Sequence, residues 1–259
     1  MRILAFEPPT TNELFEFEPI FRLNIGGFHM DITKPTAVML IITVALLLFF
    51  WRAYSKRKLV PTGSQNVAEY MYEFVDDQVT KPVLGPEGAA WTPYLVTLFF
   101  WVFFNNIMGI IPGIQIPTTS RMAYPLVLAL LAYLIFNIVG IKEQGFFKYF
   151  LGIMFPPGVP KVMYILLTPI ELISTLIVRP FTLALRLFAN MVAGHMLLAV
   201  LFIGTAVFFQ SGIGKFTFIL PFGLATIMTG FEIFVAGMQA FIITILTAVY
   251  IAGAAHPEH

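Results

Sequence analysis

The chain concentrates its unusual chemistry in two apolar stretches. RLFANMVAGH carries Arg186, Asn190 and His195, and TGFEIFVAGMQAF carries Glu232 and Gln239. An arginine near the centre of a membrane helix costs about 2.5 to 3.5 kcal/mol on insertion scales. Its pKa above about 12 prevents escape by deprotonation. No acidic residue lies at i±3 or i±4 from Arg186, so its partner is expected on another element or another chain. That absence weakens the plainer alternative, an arginine that snorkels or pairs silently with a carboxylate. Asn190, at i+4, shares its face and could orient the guanidinium. His195 is the side-chain type best suited to relay protons at ordinary pH, although a lone histidine also serves as a hydrogen-bonded packing residue. Glu232 is the only acidic residue between Glu171 and Glu258. A carboxyl in apolar surroundings exchanges a proton rather than carrying a permanent charge.

Spacing separates these groups. His195 lies about 13.5 Å along the axis from Arg186 and about 180° around it, so the two do not form one site. Gln239 lies about 10.5 Å beyond Glu232 on nearly the same face. If the two stretches run antiparallel with Arg186 and Gln239 level, His195 and Glu232 are nearly level too. Glu171, with Ser174 and Thr175, then lies on the other side of Arg186. Titratable groups on both sides of a fixed positive charge describe two proton half-paths with a barrier between them.

The elements that must hold these residues are membrane helices. The chain is 58% hydrophobic and 11% charged, with 28 phenylalanines and no cysteine. Uncharged runs long enough to span a bilayer, roughly 20 residues, recur along it. There is no thiol chemistry and no cysteine-based metal site, and the net charge of +1 is silent about partners. MRILAF is too short for a signal-peptide core. The expected organisation is an external N-terminal segment (1–34), a first transmembrane helix (35–54), a cytoplasmic loop with an amphipathic helix (55–90), a transmembrane hairpin and loop (91–160), and a long helical hairpin (161–259). Arg52, Lys56, Arg57 and Lys58 place the loop after the first span in the cytoplasm. The amphipathic stretch from Ser64 to Thr80 suits a helix on the membrane or, equally, a solvated linker.

The last two apolar segments are too long for upright spans. Tyr164 to Phe209 would extend about 69 Å as one helix, and Phe216 to Ala255 about 60 Å, against a hydrocarbon thickness of about 30 Å. Either each breaks at a proline or glycine, or each is one strongly inclined helix. Polar turns are absent apart from Arg179 beside Pro180, which favours an antiparallel pair of inclined helices with a large partner beside them. The expected class is an all-α, polytopic integral membrane protein.

The run RPFTLALRLFANMVAGH, followed by FEIFVAGMQAFIITILTAVYIAGA, closely resembles subunit a of the F-type ATP synthases, as do WVFFNNIMGIIPG, IPTTS and the order of segments. The resemblance covers most of the chain from about residue 30 onward. It implies that Arg186 faces the membrane-buried carboxylate of a rotating c-ring, that Asn190 and Gln239 are its polar neighbours, and that His195 and Glu232 line a half-channel open to the exterior. Glu171, Ser174 and Thr175 fall on the cytoplasmic half. The implied partners are the c-ring, the peripheral-stalk subunit b, the catalytic head through them, and membrane lipid, in a bacterial plasma membrane. No cofactor, metal or nucleic acid is implied, and no bond chemistry in this chain itself. In many bacterial relatives the acid and the histidine are exchanged, which bears on the order of proton transfer. Thr119 and Ser120 stand near the place where some relatives carry an aspartate, so the outer path has fewer titrating groups. A transporter acting alone would call for inverted repeats and broken midplane helices, and neither is evident. A purely structural anchor would leave Arg186 without a role.

Overall fold

The computed structural model describes residues 19–25, 28–55, 58–111, 118–155, 163–210 and 218–255. Helix dominates, and four of the helices are long and apolar enough to cross a membrane: Lys34–Ser55, Ala123–Gln144, Arg179–Phe209 and Ile219–Ala255. The all-α membrane class holds, with one addition. Strands β1 (Pro19–Ile25) and β2 (Phe28–Thr33) pair antiparallel, with Pro19 opposite Thr33 and Ile25 opposite Phe28. Helix α1 (Lys34–Ser55) follows directly, with Pro35 in its first turn, where a missing N–H leaves no bond unmade.

The contacts divide the chain into two compact units. The first comprises Met1–Val44, Phe103–Arg121 and Phe188–Met238. It receives the second part of α4 (Thr92–Met108), most of α8 (Arg179–Gln210) and the first part of α9 (Ile219–Ala255). Small residues let its helices approach. A Cβ on Gly109 would stand 2.9 Å from Met191 Cε, and one on Gly237 would touch Phe103 at 3.6 Å.

The second unit comprises Ala45–Val102, Met122–Leu187 and Gln239–His259. Its core gathers Phe136, Val139 and Ile251, with Leu84, Trp91, Tyr94, Tyr133 and Tyr250 packed against them. Helix α2 (Ser64–Val75) buries Ala68, Met71 and Val75, the apolar stripe of an amphipathic helix, and Phe74 meets Phe99 at 5.5 Å. Helix α5 (Ala123–Gln144) turns at Gly145, whose φ of 82° places it in the left-handed region, into α6 (Phe146–Met154). The Tyr149 ring lies where a side chain on Gly140 would stand, and its hydroxyl and the Asn137 side-chain oxygen are 3.1 Å apart, the phenol donating. Gln144 Nε2 donates to the carbonyl of Ala254 at 2.7 Å, fixing the end of α9.

Two π turns share one sequence logic. Asp76–Thr80 continues α2 and leads into α3 (Lys81–Leu84), and Ser174–Val178 continues α7 (Tyr164–Ile173) and leads into α8. In each, the amide of the next residue, Lys81 or Arg179, donates to the carbonyl five residues back, at Asp76 or Ser174. A proline then follows, Pro82 or Pro180. A proline ring crowds the carbonyl of residue i−4 and lacks an N–H, and widening the preceding turn accommodates both. In each case the basic residue pairs with an acid upstream. Lys81 Nζ lies 2.6 Å from Asp77 and 3.0 Å from Asp76, and the hydrogen bonds it donates to the two acids hold its ammonium charged well above the usual lysine range. Arg179 pairs with Glu171 at 3.3 Å.

The segment from Tyr164 to Gln210 is therefore helical throughout, and Pro169 and Pro180 do not divide it into two spans. The pair α8 and α9 runs antiparallel: in one unit Gly194 meets Glu232, and in the other Arg179 lies over the Tyr250 ring, 5.4 Å from its centroid. Moving back along α8 corresponds to moving forward along α9.

Candidate functional site

In the first unit, Asn190, His195 and Glu232 are all half-buried. A Cβ on Gly194 would stand 2.5 Å from Glu232 Oε1 and 3.0 Å from its Cδ. The carboxylate thus uses the space that glycine leaves, next in sequence to His195. Glu232 Oε1 is buried and has no hydrogen-bond partner among the described residues. A buried polar atom left unmatched costs about 1 to 3 kcal/mol.

A second polar cluster lies in the same unit. Asn105 and Asn106 near the end of α4, and Thr118, Thr119 and Ser120 in a short 3₁₀ turn, are all buried. Thr118 Oγ1 donates to the carbonyl of Asn105 at 3.0 Å, and Thr119 Oγ1 to Asn106 Oδ1 at 3.2 Å. Asn106 Nδ2 is buried with no partner among the described residues. In the sequence the two asparagines stand out only as the NN of WVFFNNIMGIIPG. Their pairing with the TTS triplet could be suspected from two adjacent amides, since polar groups at such depth need partners.

In the second unit, the side chain of Arg186 is exposed. Among the described residues no ion pair or hydrogen bond reaches it, and Asn190 does not bond to it. The neighbouring exposed positions on α8 include Leu185, Ala189 and Ala193, so the guanidinium emerges from an apolar, partly small-residue face. Gln239 on α9 is 5% exposed, and its Nε2 has no hydrogen-bond partner among the described residues. Thr175 is buried and Ser174 half-buried within the π turn.

Glu171 is held by a residue that sequence reading left without a role, Arg179. Eight residues of regular α-helix would set the two about 80° apart around the axis. The π turn between them advances less per residue and brings Arg179 round to Glu171. The side chains of both remain about one third exposed, and the stack on Tyr250 holds the guanidinium from a second side. Among the described residues no group of three or more His, Cys, Asp or Glu could hold a metal ion.

A family profile described as ATP synthase A chain matches residues 36–252. The chain is 44% identical to ATP synthase subunit a of Frankia alni, over 98% of this chain and 88% of the relative. It is 41% identical to that of Rhodococcus erythropolis, over 98% and 92%, and 36% identical to that of Rhodospirillum rubrum, over 92% and 95%. With a profile match spanning the helices that carry Arg186, His195, Glu232 and Gln239, and relatives aligned over nearly their whole length, this chain belongs to the ATP synthase A chain family.

Proposed function

We propose that this chain is the membrane stator subunit of a proton-driven rotary ATP synthase, forming two proton half-channels separated by Arg186. Its partners are then a ring of c subunits, the peripheral-stalk subunit b and, through them, the catalytic head, in a bacterial plasma membrane. The observation that carries the reading is an arginine on an apolar membrane helix whose side chain is exposed and unpaired among the described residues. An uncompensated charge there is unfavourable by several kcal/mol on insertion scales, about 3, unless a carboxylate from another chain meets it. Length supports the reading too: helix α9 has 37 residues, about 55 Å against a hydrocarbon core of about 30 Å, so it fits by lying strongly inclined.

Protons enter from the exterior past Glu232 and His195 and neutralise a ring carboxylate. A neutral acid is far less costly facing lipid than an ion, so the ring can turn. A protonated carboxylate arriving from the other side meets Arg186, whose charge favours release toward Glu171, Ser174 and Thr175. Asn190 and Gln239 supply polar neighbours to the exchange. The fixed guanidinium blocks direct passage between the half-channels, and each proton crossing 100 mV releases about 2.3 kcal/mol for rotation. Bond chemistry belongs to the catalytic head.

The test is cross-linking. The chain has no cysteine, so Ala189→Cys introduces a single thiol one helical turn from Arg186. It should form disulfides with cysteines placed beside the ring carboxylate. Absence of any such product, or full proton-driven ATP synthesis with Arg186→Ala, would overturn the reading.

A further inference from the structure

At the basic end of α1 a cavity of about 610 Å³ opens within the second unit. Its polar lining is Arg52, Ser55, Lys58, Thr62 and Ser64, and its apolar lining includes Leu48 and Trp51. Among the described residues no acidic side chain lines it, and the nearest to its wall, Glu69, accepts a hydrogen bond from Gln65 Nε2 at 2.7 Å. The cavity has a defined wall. Gln65, 6% exposed, accepts a hydrogen bond from the Lys58 amide at 3.0 Å and donates to the Lys58 carbonyl at 2.9 Å. This two-way clasp pins the Lys58 backbone against the start of α2. Gly63, which precedes α2, has no side chain to cap it, so the amides of the first turn add positive potential at that wall.

We infer that this cavity binds the phosphate of an anionic phospholipid from the adjoining leaflet. Two cationic side chains without ion-pair partners among the described residues face a space with hydroxyls and no carboxylate, which is the chemistry of a phosphate site. The lipid rather than free phosphate is indicated by the mouth. Leu48, Trp51 and Val60 are exposed, and Leu59, beside Lys58, is wholly so. Exposed aliphatic side chains next to an exposed tryptophan at a span's end mark the membrane interface. A headgroup would meet Arg52 and Lys58 while its acyl chains continue along Leu48. This site is remote in sequence from Arg186 and does not depend on the function proposed above.

The probe is a photoreactive benzophenone on Val60→Cys, which borders the cavity without lining it, in the full-length chain reconstituted in vesicles of equal phosphatidylglycerol and phosphatidylcholine. Phosphatidylglycerol should be captured in excess over phosphatidylcholine by up to about 30-fold, as two basic residues at a membrane surface provide. Arg52→Gln/Lys58→Gln should bring the ratio to unity, and Arg52→Lys/Lys58→Arg should keep the excess. Lys142→Gln/Lys148→Gln should leave it unchanged. Equal capture of both lipids, an excess that survives Arg52→Gln/Lys58→Gln, or one lost with Lys142→Gln/Lys148→Gln would overturn the inference. Loss of the excess on adding inorganic phosphate at fixed ionic strength would reassign the site to the free anion and overturn the lipid.

Discussion

The carboxylate of Glu232 lies against the bare backbone of Gly194, filling the volume that a side chain at position 194 would need. Glycine here is a spatial requirement of an acid on the neighbouring helix, distinct from the freedom glycine gives a turn. Gly194→Ala should push the carboxylate off its position and lower proton-driven ATP synthesis by up to about 100-fold, the scale of a displacement near 1 Å. Glu232→Asp, shorter by one methylene, should restore part of the loss when combined with Gly194→Ala. Unchanged ATP synthesis in everted vesicles bearing Gly194→Ala would show that the carboxylate has no fixed position.

The buried threonine and asparagine cluster should be sensitive to single hydroxyls. Thr119→Val removes the donor to Asn106 Oδ1 and leaves a buried acceptor unmatched, a loss of about 1 to 3 kcal/mol. Thr119→Ser keeps the hydroxyl and should lose much less. Thermal unfolding in detergent separates the two, and equal midpoints would count against the bond.

Glu171 and Arg179 offer a measurable coupling. Both are partly exposed, so a double-mutant cycle with Glu171→Gln and Arg179→Gln should return about 0.5 to 1 kcal/mol. Arg179→Gln should be the more damaging single change, because it also loses the contact with Tyr250, a cation–π interaction of about 0.5 to 1 kcal/mol. Additive effects of the two substitutions would dissolve the pair.

Pro180 should be what keeps that pair in place. With Pro180→Ala the Ser174–Val178 turn can relax to α-helix, swinging position 179 by about 80° relative to 171. In a chain with Glu171→Cys and Arg179→Cys, a short bifunctional thiol reagent should bridge the two positions. Adding Pro180→Ala should suppress that bridging. Equal bridging with alanine would mean that the π turn persists without the proline.

Crowding at Gly140 is the last test. The Tyr149 ring occupies the side-chain position there, so Gly140→Ala should destabilise the chain by about 1 to 3 kcal/mol, and Tyr149→Leu should remove most of that penalty. A thermal midpoint unchanged by Gly140→Ala would contradict the packing.

The long helices, their polar residues and their antiparallel sense were all legible in the sequence, because apolar length and the expense of burying Arg186 are local properties. The partnership of Glu171 with Arg179 was not. Sequence reading looks for helical partners at i±3 and i±4, and these residues are eight apart, joined only because a π turn intervenes. Pro180 signalled an irregularity but not its kind, since a proline can break a helix, kink it or widen the turn before it. The β1–β2 hairpin was legible and went unread: FRLNI and FHMDIT each alternate apolar and polar residues strictly, and Gly26-Gly27 between them is a hairpin turn pair. The demand on Gly194 was not legible either, because it is set by Glu232 on another helix, 38 residues away in sequence.

The paired π turns set angular phase. Each inserts a fraction of a turn into an otherwise regular helix, so everything downstream leaves the axis at a different azimuth from that dictated by the residues upstream. For the turn at Ser174–Val178, the downstream cargo is Arg186. The direction in which that guanidinium leaves the helix is therefore chosen twelve to six residues earlier, by a proline and the widened turn ahead of it. Removing one residue from this turn would keep the helix intact and leave every later side chain at its depth within about 1.5 Å, yet it would reset the phase between the two halves of the helix, like a gear moved by one tooth on its shaft.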